Sequence, residues 1–299
     1  MSRLKLKCCY LIMILLINAS AFSQVKSDFK IFYSPDKYTP ELRTLLSEQQ
    51  NFEQYRLIIG AFIDPKKTGR VDKELFVKSI NRYYCPDSLA NGILCIDLEN
   101  EAYSNLFKFD SESAEFREAS EQFIWMIKTI KKMCPNMKVG VYALPYRTYH
   151  TSPKSDKNKL DVILSLCDYI FPSLYTMYPD RQIKKSRNEK YLKENLESAL
   201  EYGIRLNMPV VPFMWSLVHP SNKLYGGQLV SKNEVVQNIN FIKNFKYKNR
   251  SVSGIVWWDP DYKSFSKMIK SDIKTEKKEP KSVQSELLKD YLDSFIKQK

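Results

Sequence analysis

The sequence is poor in the residues that build several common kinds of site. It has 8 glycines and 2 histidines among 299 residues. A dinucleotide-binding fold needs a glycine-rich turn after its first strand, whereas Ser34-Pro35-Asp36-Lys37 follows the first predicted strand. His150 and His219 do not have the spacing of metal ligands, and no Cys-x-x-Cys accompanies them. With no Gly-x-Ser-x-Gly elbow either, we expect no nucleotide fold, no metal site, no cofactor and no serine hydrolase.

Long apolar runs are also scarce. The run Cys8–Ile17 holds ten residues, which is short for a membrane-spanning helix. Three basic residues precede it, and small residues follow it up to Ser23. This order is typical of a secretory signal peptide. We predict a signal peptide over residues 1–23 with cleavage near Ser23, and a secreted or periplasmic protein without stable membrane insertion.

Four cysteines follow the predicted leader, and export would allow them to form disulfides. Cys95 lies inside an apolar strand, while Cys134 and Cys167 lie near predicted helix ends. The spacing of these three cysteines and Cys85 is not that of a disulfide framework. We expect most of the four to be buried thiols.

The chain is basic. Its formal net charge is +13, and the leader supplies three of these charges, which leaves +10. Such a charge favours an anionic partner, which would be a polysaccharide, a nucleic acid or a membrane surface. A lysine-rich composition without a partner is the alternative. Export disfavours nucleic acid, so an anionic polysaccharide is the partner we expect. Nothing in the sequence indicates an oligomeric state.

Short apolar stretches alternate with helical patterns along the chain. The predicted strands are Phe29–Ser34, Arg56–Ile63, Gly92–Glu99, Lys138–Leu144, Asp168–Tyr175, Pro209–Ser216 and Gly254–Asp259. The predicted helices are Pro40–Tyr55, Asp72–Tyr84, Ser113–Met133, Lys159–Leu166, Glu189–Leu206, Lys232–Phe245 and Tyr262–Lys270. This alternation predicts an α/β fold, a TIM-type (β/α) barrel with about seven parallel strands, over residues 24–270. A doubly wound open sheet is the alternative.

After the predicted barrel the chain changes character. Residues 271–280 are charged and predict a linker. An amphipathic helix over 281–299 is predicted to follow, with an apolar face made by Leu287, Leu288, Leu292 and Ile296.

The ends of the predicted strands carry carboxylates and aromatic residues. Asp97 and Glu99 end the third strand, and side chains at i and i+2 share one face of a strand. The other strand ends hold Asp64, Tyr142, Tyr146, Tyr175, Trp215, Trp258 and Asp259. In a barrel these ends meet at one rim, where the active site lies. Carboxylates surrounded by tyrosine and tryptophan indicate a saccharide-binding cleft.

Four motifs in order resemble those of the animal-type hyaluronidase family of glycoside hydrolases. They are Gly92–Glu99 with its Asp-x-Glu, Gly140–Tyr146, Phe171–Tyr175 and Gly254–Trp258. The opening strand is also similar, and the resemblance covers about residues 28–265. It implies a distorted seven-stranded (β/α) barrel. It also implies a retaining hexosaminidase that cleaves beside N-acetylhexosamine, with the substrate's own acetamido oxygen attacking the anomeric carbon.

The resemblance also implies roles for the site residues. Glu99 would be the general acid and then the general base, with its pKa raised by the neighbouring Asp97. Asp97 would stay ionised and orient the acetamido group. Tyr142 and Tyr175 would lie beside that group, and Trp258 would form an apolar wall. The expected substrate-binding residues at the same rim are Trp258, Tyr146, Arg147, Trp215 and Asp259.

Other interpretations of these residues remain open. The carboxylate pair could belong to a salt-bridged rim, and the tyrosines could fill the barrel. Trp257 could face the cleft in place of Trp258, since neighbours on a strand point to opposite faces. Asp259 with Asp261 could serve a different two-carboxylate mechanism.

The sequence departs from the family pattern in two places. The Asp-x-Glu is followed by Asn100-Glu101-Ala102-Tyr103, where the family has an aromatic and a basic residue. Arg147 stands where the family has a disulfide cysteine. Basic residues in the loops after strands four and five could compensate, namely Arg147, Arg181, Lys184, Lys185 and Arg187.

The sequence therefore predicts an exported endo-hexosaminidase acting on polysaccharide of the hyaluronan or chondroitin type. A non-catalytic glycan-binding barrel is one alternative, motivated by the altered segment after Glu99. The same chemistry on a chitin-like or peptidoglycan-like glycan is the other.

Overall fold

The computed structural model describes residues 29–87, 89–150, 158–259 and 280–296. The predicted signal peptide, the predicted helix Tyr262–Lys270 and nearly all of the predicted linker lie outside these ranges. The predicted domain boundaries at residues 23 and 270 therefore stay predictions.

The strands form one parallel sheet that curls into a nearly closed barrel. They are β1 Lys30–Tyr33, β2 Phe52–Ile59, β3 Gly92–Asp97, β4 Met137–Tyr142, β5 Tyr169–Phe171, β6 Phe213–Met214 and β7 Gly254–Trp257. Their spatial order is β5-β4-β3-β2-β1-β7-β6, with every pair parallel. Parallel bridges from Ile170 to Val210 and from Ser173 to Phe213 join the two ends of the sheet. The predicted (β/α) barrel is confirmed, and the open sheet is wrong.

Helices connect the strands on the outside of the barrel. They are α1 Pro40–Ser47, α2 Gly60–Ile63, α3 Lys73–Ser79, α4 Glu101–Lys108, α5 Ala114–Met133, α6 Asp161–Leu164, α7 Lys185–Arg205, α8 Lys232–Asn244 and α9 Pro280–Ile296. A single π-helical turn, Ile80–Tyr84, extends α3. Helix α5 begins where the Ser113 hydroxyl accepts a hydrogen bond from the Phe116 amide. Its apolar stripe then packs against the sheet.

Several elements differ from the sequence prediction. The last four residues of the second predicted strand, Gly60–Ile63, form helix α2. Strand β2 begins at Phe52, inside a stretch predicted as helix, and α1 ends at Ser47. The ring of Tyr55 reaches across the barrel to Phe213, with centroids 5.8 Å apart. This long-range packing outweighs the local helical pattern. Helix α4, which was not predicted, begins where Asn100 accepts a hydrogen bond from the Tyr103 amide.

Aromatic side chains fill the barrel interior. Phe213 contacts Tyr142 at 4.9 Å and Phe171 at 5.8 Å between ring centroids, both edge to face. Gly140 of β4 makes room for this packing, because a Cβ there would lie 2.5 Å from the Phe171 ring. The interior is therefore solid, and it supports the residues at the rim from below.

The cysteines divide into two classes. Cys95 and Cys167 are buried thiols, as predicted. The prediction is wrong for Cys85 and Cys134, which form a disulfide. Cys85 follows the π-helical turn and Cys134 ends α5, so two helix ends meet with Cα atoms 6.0 Å apart. Only the tertiary packing of these helix ends brings the two thiols together.

The C-terminal helix α9 packs on the barrel beside β1 and β7. The ring of Tyr291 lies 5.0 Å from that of Trp257, and Leu288 is fully buried. The Thr39 amide donates to the Ser285 hydroxyl over 3.0 Å. The side chains of Leu292 and Ile296 lie outside the described residues. Across the described ranges, no helix is both long enough and apolar enough to cross a bilayer.

Candidate active site

The carboxylate pair stands at the carboxyl end of β3. Cys95 belongs to the buried cluster inside the barrel, and Asp97 follows it on the same face of the strand. Asp97 is half-buried, and its Oδ1 is fully buried without a hydrogen-bond partner among the described residues. Glu99 lies just beyond the strand and is exposed. The two carboxylates thus differ in depth, with Asp97 below and Glu99 above.

Burial controls the charge of this pair. Burial first, and then the charge of Glu99, raise the pKa of Asp97 to about 7. Although the Glu99 side chain is exposed, partial loss of hydration by burial at the barrel mouth also raises its pKa, while the positive charge of Arg147 opposes that rise. Near neutral pH, Asp97 therefore retains its proton in part. This differs from the expectation that Asp97 is ionised, because the deeper carboxylate loses more hydration.

Three aromatic side chains form a wall across the barrel mouth. Tyr175 contacts Trp215 at 4.9 Å and Trp258 at 5.6 Å, and the two tryptophan rings lie 4.9 Å apart. Trp215 and Tyr175 are buried, whereas Trp258 is partly exposed. Trp257 points to the other face of β7, against Tyr291. The structure thus brings Trp258, and not Trp257, to the cleft side.

Tyr142 and Arg147 lie between the carboxylates and this wall. The Tyr142 hydroxyl donates to the Ser173 hydroxyl over 3.2 Å. Burial, with Glu99 and Asp97 nearby, raises the pKa of Tyr142 to about 12, so the phenol stays neutral. The Arg147 guanidinium bonds the same Ser173 oxygen and lies 5.9 Å from the centre of the Tyr175 ring.

Arg147 also bonds His219. Its Nη2 lies 2.7 Å from His219 Nε2. A guanidinium only donates, so Nε2 accepts, while Nδ1 lies 2.7 Å from the Ser221 hydroxyl and 3.2 Å from the Ser221 amide nitrogen. Burial first, and then Arg147, lower the pKa of His219 to about 4. His219 is therefore a neutral acceptor near neutral pH.

Tyr146 stands behind Tyr103 and away from the tryptophans. Its hydroxyl donates to the Tyr103 carbonyl over 3.0 Å, and its ring contacts those of Tyr103 and Phe107, both at 5.1 Å. Burial first, and then nearby Glu99, raise the pKa of the Tyr103 phenol. The altered segment after Glu99 therefore supplies an aromatic side chain beside the predicted acid.

A groove of about 470 Å³ extends from the pair toward the loop after β2. It is lined by residues of two strand ends, namely Gly60, Ala61, Asp64, Pro65, Lys67, Gly69 and 97–101. Asp64 accepts hydrogen bonds from the Thr68 and Gly69 amides and from Asn100. These bonds hold the loop against the start of α4 and shape this side of the groove.

Asp259 lies apart from the other predicted residues. It is buried, and its carboxylate accepts a hydrogen bond from the Tyr38 hydroxyl. Burial raises the pKa of Asp259 to about 6 against the effect of that bond. Asp261 lies outside the described residues. The structure therefore does not place Asp259 on the aromatic wall.

Three of the other predicted basic residues are held by neighbouring groups. Arg181 bonds Gln228 at 2.7 Å and stacks on Tyr225, and Lys185 bonds Gln237 at 2.6 Å. Arg187 bonds the Tyr149 carbonyl and stacks on its ring. Of these cations, Arg147 is the one whose contacts include the wall and whose charge acts on Glu99.

Sequence reasoning missed Ser173, His219 and Tyr103. Ser173 lies within a motif that the resemblance used, but its role depends on Arg147 from another loop. His219 carried a signal as one of only two histidines, in a loop on the predicted active-site side. Within the described ranges, no group of three His, Cys, Asp or Glu side chains is placed to hold a metal ion.

The fold of this protein is similar to that of known structures, although its sequence is not similar to that of known families. No family model and no curated protein matches the sequence. A monoclinic crystal structure of bee venom hyaluronidase aligns with a TM-score of 0.56 at 14% identity, covering 89% of this chain and 97% of that chain. The fold is similar to that of bee venom hyaluronidase. The complex of that enzyme with a hyaluronic acid tetramer gives a TM-score of 0.59 at 14% identity, covering 89% and 96%. The predicted resemblance is confirmed at the level of the fold, between sequences that have diverged widely.

Proposed function

We propose that the protein is an exported glycoside hydrolase that cleaves N-acetylhexosamine-containing polysaccharide of the hyaluronan or chondroitin type. The proposal covers retaining, endo-acting, substrate-assisted cleavage. One observation carries it, namely the Asp97 and Glu99 pair at the barrel mouth beside the wall of Tyr175, Trp215 and Trp258. The fold similarity to bee venom hyaluronidase, which has been solved with a hyaluronic acid tetramer, supports the substrate class.

In the proposed reaction the substrate supplies the nucleophile. Its acetamido oxygen attacks the anomeric carbon while Glu99 protonates the leaving glycosidic oxygen. Glu99 then removes a proton from water, which opens the cyclic intermediate and restores the original configuration. The exposure of Glu99 suits both steps, because an acid that becomes a base must reach the leaving group and then water.

The depth of Asp97 suits the role of orienting the acetamido group and stabilising the cyclic intermediate. Asp97 lines the groove, and the N–H of an acetamido group bound there would donate a hydrogen bond to its carboxylate. A hydrogen bond to the ionised form lowers a carboxyl pKa. Substrate binding would therefore favour ionised Asp97 and leave the proton on Glu99. The ionised Asp97 then stabilises the positive charge of the cyclic intermediate.

Replacement of Glu99 by Gln tests this assignment. General acid–base catalysis contributes roughly 100- to 10,000-fold, so Glu99→Gln should lower the turnover rate by that factor with glycan affinity retained. The measurement is the release of reducing ends from hyaluronan, chondroitin and chitin oligosaccharides. Glu121→Gln, on the exposed face of α5, removes the same charge and is the control.

The outcomes separate the candidate functions. Wild-type rates in Glu99→Gln on every cleaved polymer would show that Glu99 is not the acid. Binding without new reducing ends in the wild type would favour a glycan-binding barrel without catalysis. Cleavage of chitin oligosaccharides alone would keep the chemistry and change the substrate class.

A further inference from the structure

Arg147 is held in place by neutral groups. Its guanidinium bonds the Ser173 hydroxyl and His219 Nε2, and the Tyr142 hydroxyl is a third partner. Ser173 is fully buried, and His219 is fixed in turn by Ser221. Tyr142 ends β4, and Ser173 and His219 lie in the loops after β5 and β6, so three separate strand ends orient one side chain.

Neutral partners orient a cation without cancelling its charge. Within the described ranges, no carboxylate lies within 4.0 Å of the Arg147 guanidinium. Arg205, by contrast, is neutralised by a two-bond contact with Asp161. A guanidinium has five N–H donors, and the three neutral partners leave some of them for a ligand. Arg147 is therefore a preorganised, uncompensated cation.

The position of Arg147 suits the binding of a sugar substituent. The guanidinium lies 5.9 Å from the centre of the Tyr175 ring, inside the aromatic wall. Its charge also reaches Glu99, where it opposes the effect of burial. An anion bound here would lie at the same barrel mouth as the carboxylate pair, within reach of the charge of Glu99. A planar carboxylate matches the fork of a guanidinium better than a point charge would.

We propose that Arg147 binds the carboxylate of an acidic sugar next to the cleaved N-acetylhexosamine, with Ser173 and His219 as positioning residues. The inference rests on the proposed function for the identity of the polymer. It makes Arg147 the residue that distinguishes a uronic acid polymer from a neutral one.

The test compares two forms of one substrate. Hyaluronan oligosaccharides are used as they are and after reduction of their carboxyl groups to alcohols. A charge-assisted hydrogen bond corresponds to roughly 10- to 100-fold in affinity. The wild type should prefer the native form by that factor in kcat/KM, expressed mainly in KM. Arg147→Gln should lose this preference by weakening only on the native form, and Arg147→Lys should retain part of it.

Controls separate recognition from folding. Arg250→Gln removes the same charge at the opposite end of the barrel, on the loop before β7, and should keep the preference. His219→Ala leaves the cation but removes an anchor, so it should weaken the preference less than Arg147→Gln does. Circular dichroism and melting curves check each fold. If Arg147→Gln does not fold, the comparison of Arg147→Lys with His219→Ala still tests whether the preference for the native form depends on the Arg147 guanidinium.

Calorimetric binding in the Glu99→Gln background makes the result independent of turnover. Affinity that depends on Arg147 without any cleavage by the wild type would refute the hydrolase and support the carboxylate site. Equal affinity for both forms in the wild type, or equal loss on both forms in Arg147→Gln, would overturn the carboxylate site while leaving the hydrolase standing. Binding of neither form would also overturn it.

Discussion

Replacement of Asp97 by Asn should stabilise the folded protein, and the gain should grow with pH. The pKa of Asp97 is raised from 3.8 to about 7 by burial first and by Glu99 second. At about 1.4 kcal/mol per pKa unit, this corresponds to about 4 kcal/mol of destabilisation above pH 7. Asp97 is half-buried, and solvent contact reduces the value to the order of 2 kcal/mol.

The sign follows from proton binding. Below pH 3.8 both folded and unfolded chains hold the proton, so the substitution has no electrostatic effect there. Between pH 3.8 and about 7 the unfolded chain releases the proton and the folded chain keeps it, so the stability of the wild type falls as pH rises. The gain from Asp97→Asn therefore increases through this window and is complete above it.

Urea denaturation at pH 5 and pH 8 measures this effect. The variant should gain more at pH 8 than at pH 5, by at most about 3 kcal/mol before solvent contact is allowed for. Asp64→Asn is the matched control, and it should destabilise the folded protein instead of stabilising it. Burial tends to raise the pKa of Asp64, but hydrogen bonds from Thr68, Asn100 and Gly69 outweigh burial and lower it. An equal gain in stability at both pH values, or a loss at pH 8, would refute the conclusion that burial raises the pKa of Asp97.

Two further predictions concern pH and redox state. The profile of kcat/KM should be bell-shaped with its alkaline limb near pH 7, because the pair must hold one proton and loses it as pH rises through the raised pKa; constant activity from pH 6 to pH 9 would contradict this. The disulfide between Cys85 and Cys134 spans 49 residues, so the Cys85→Ala, Cys134→Ala double variant should lose about 4 kcal/mol of stability by the loop-entropy model. Urea midpoints with and without reductant provide the measurement, and an unchanged midpoint on reduction of the wild type would disprove the stabilising role.

Much of the fold was predictable because its signals are local. Each strand is a short apolar run between turn residues, and β-α alternation permits few arrangements. The boundary of β2 was not predictable, since Tyr55 is held in the strand by Phe213 from the far side of the barrel. The unpredicted α4 follows a cap at Asn100 that a search for helix starts would have found.

Local periodicity and the Asp-x-Glu spacing determined which residues stand at the strand ends, and so determined the fold class and the list of candidate site residues. The tertiary structure decided how those residues differ. Asp97 lies deeper than Glu99, and burial raises the pKa of Asp97 to about 7. Trp258 faces the cleft while Trp257 packs on α9. Ser173 and His219, distant in sequence, meet Arg147. Hydration and electrostatic interaction depend on distance in space, which sequence spacing does not encode.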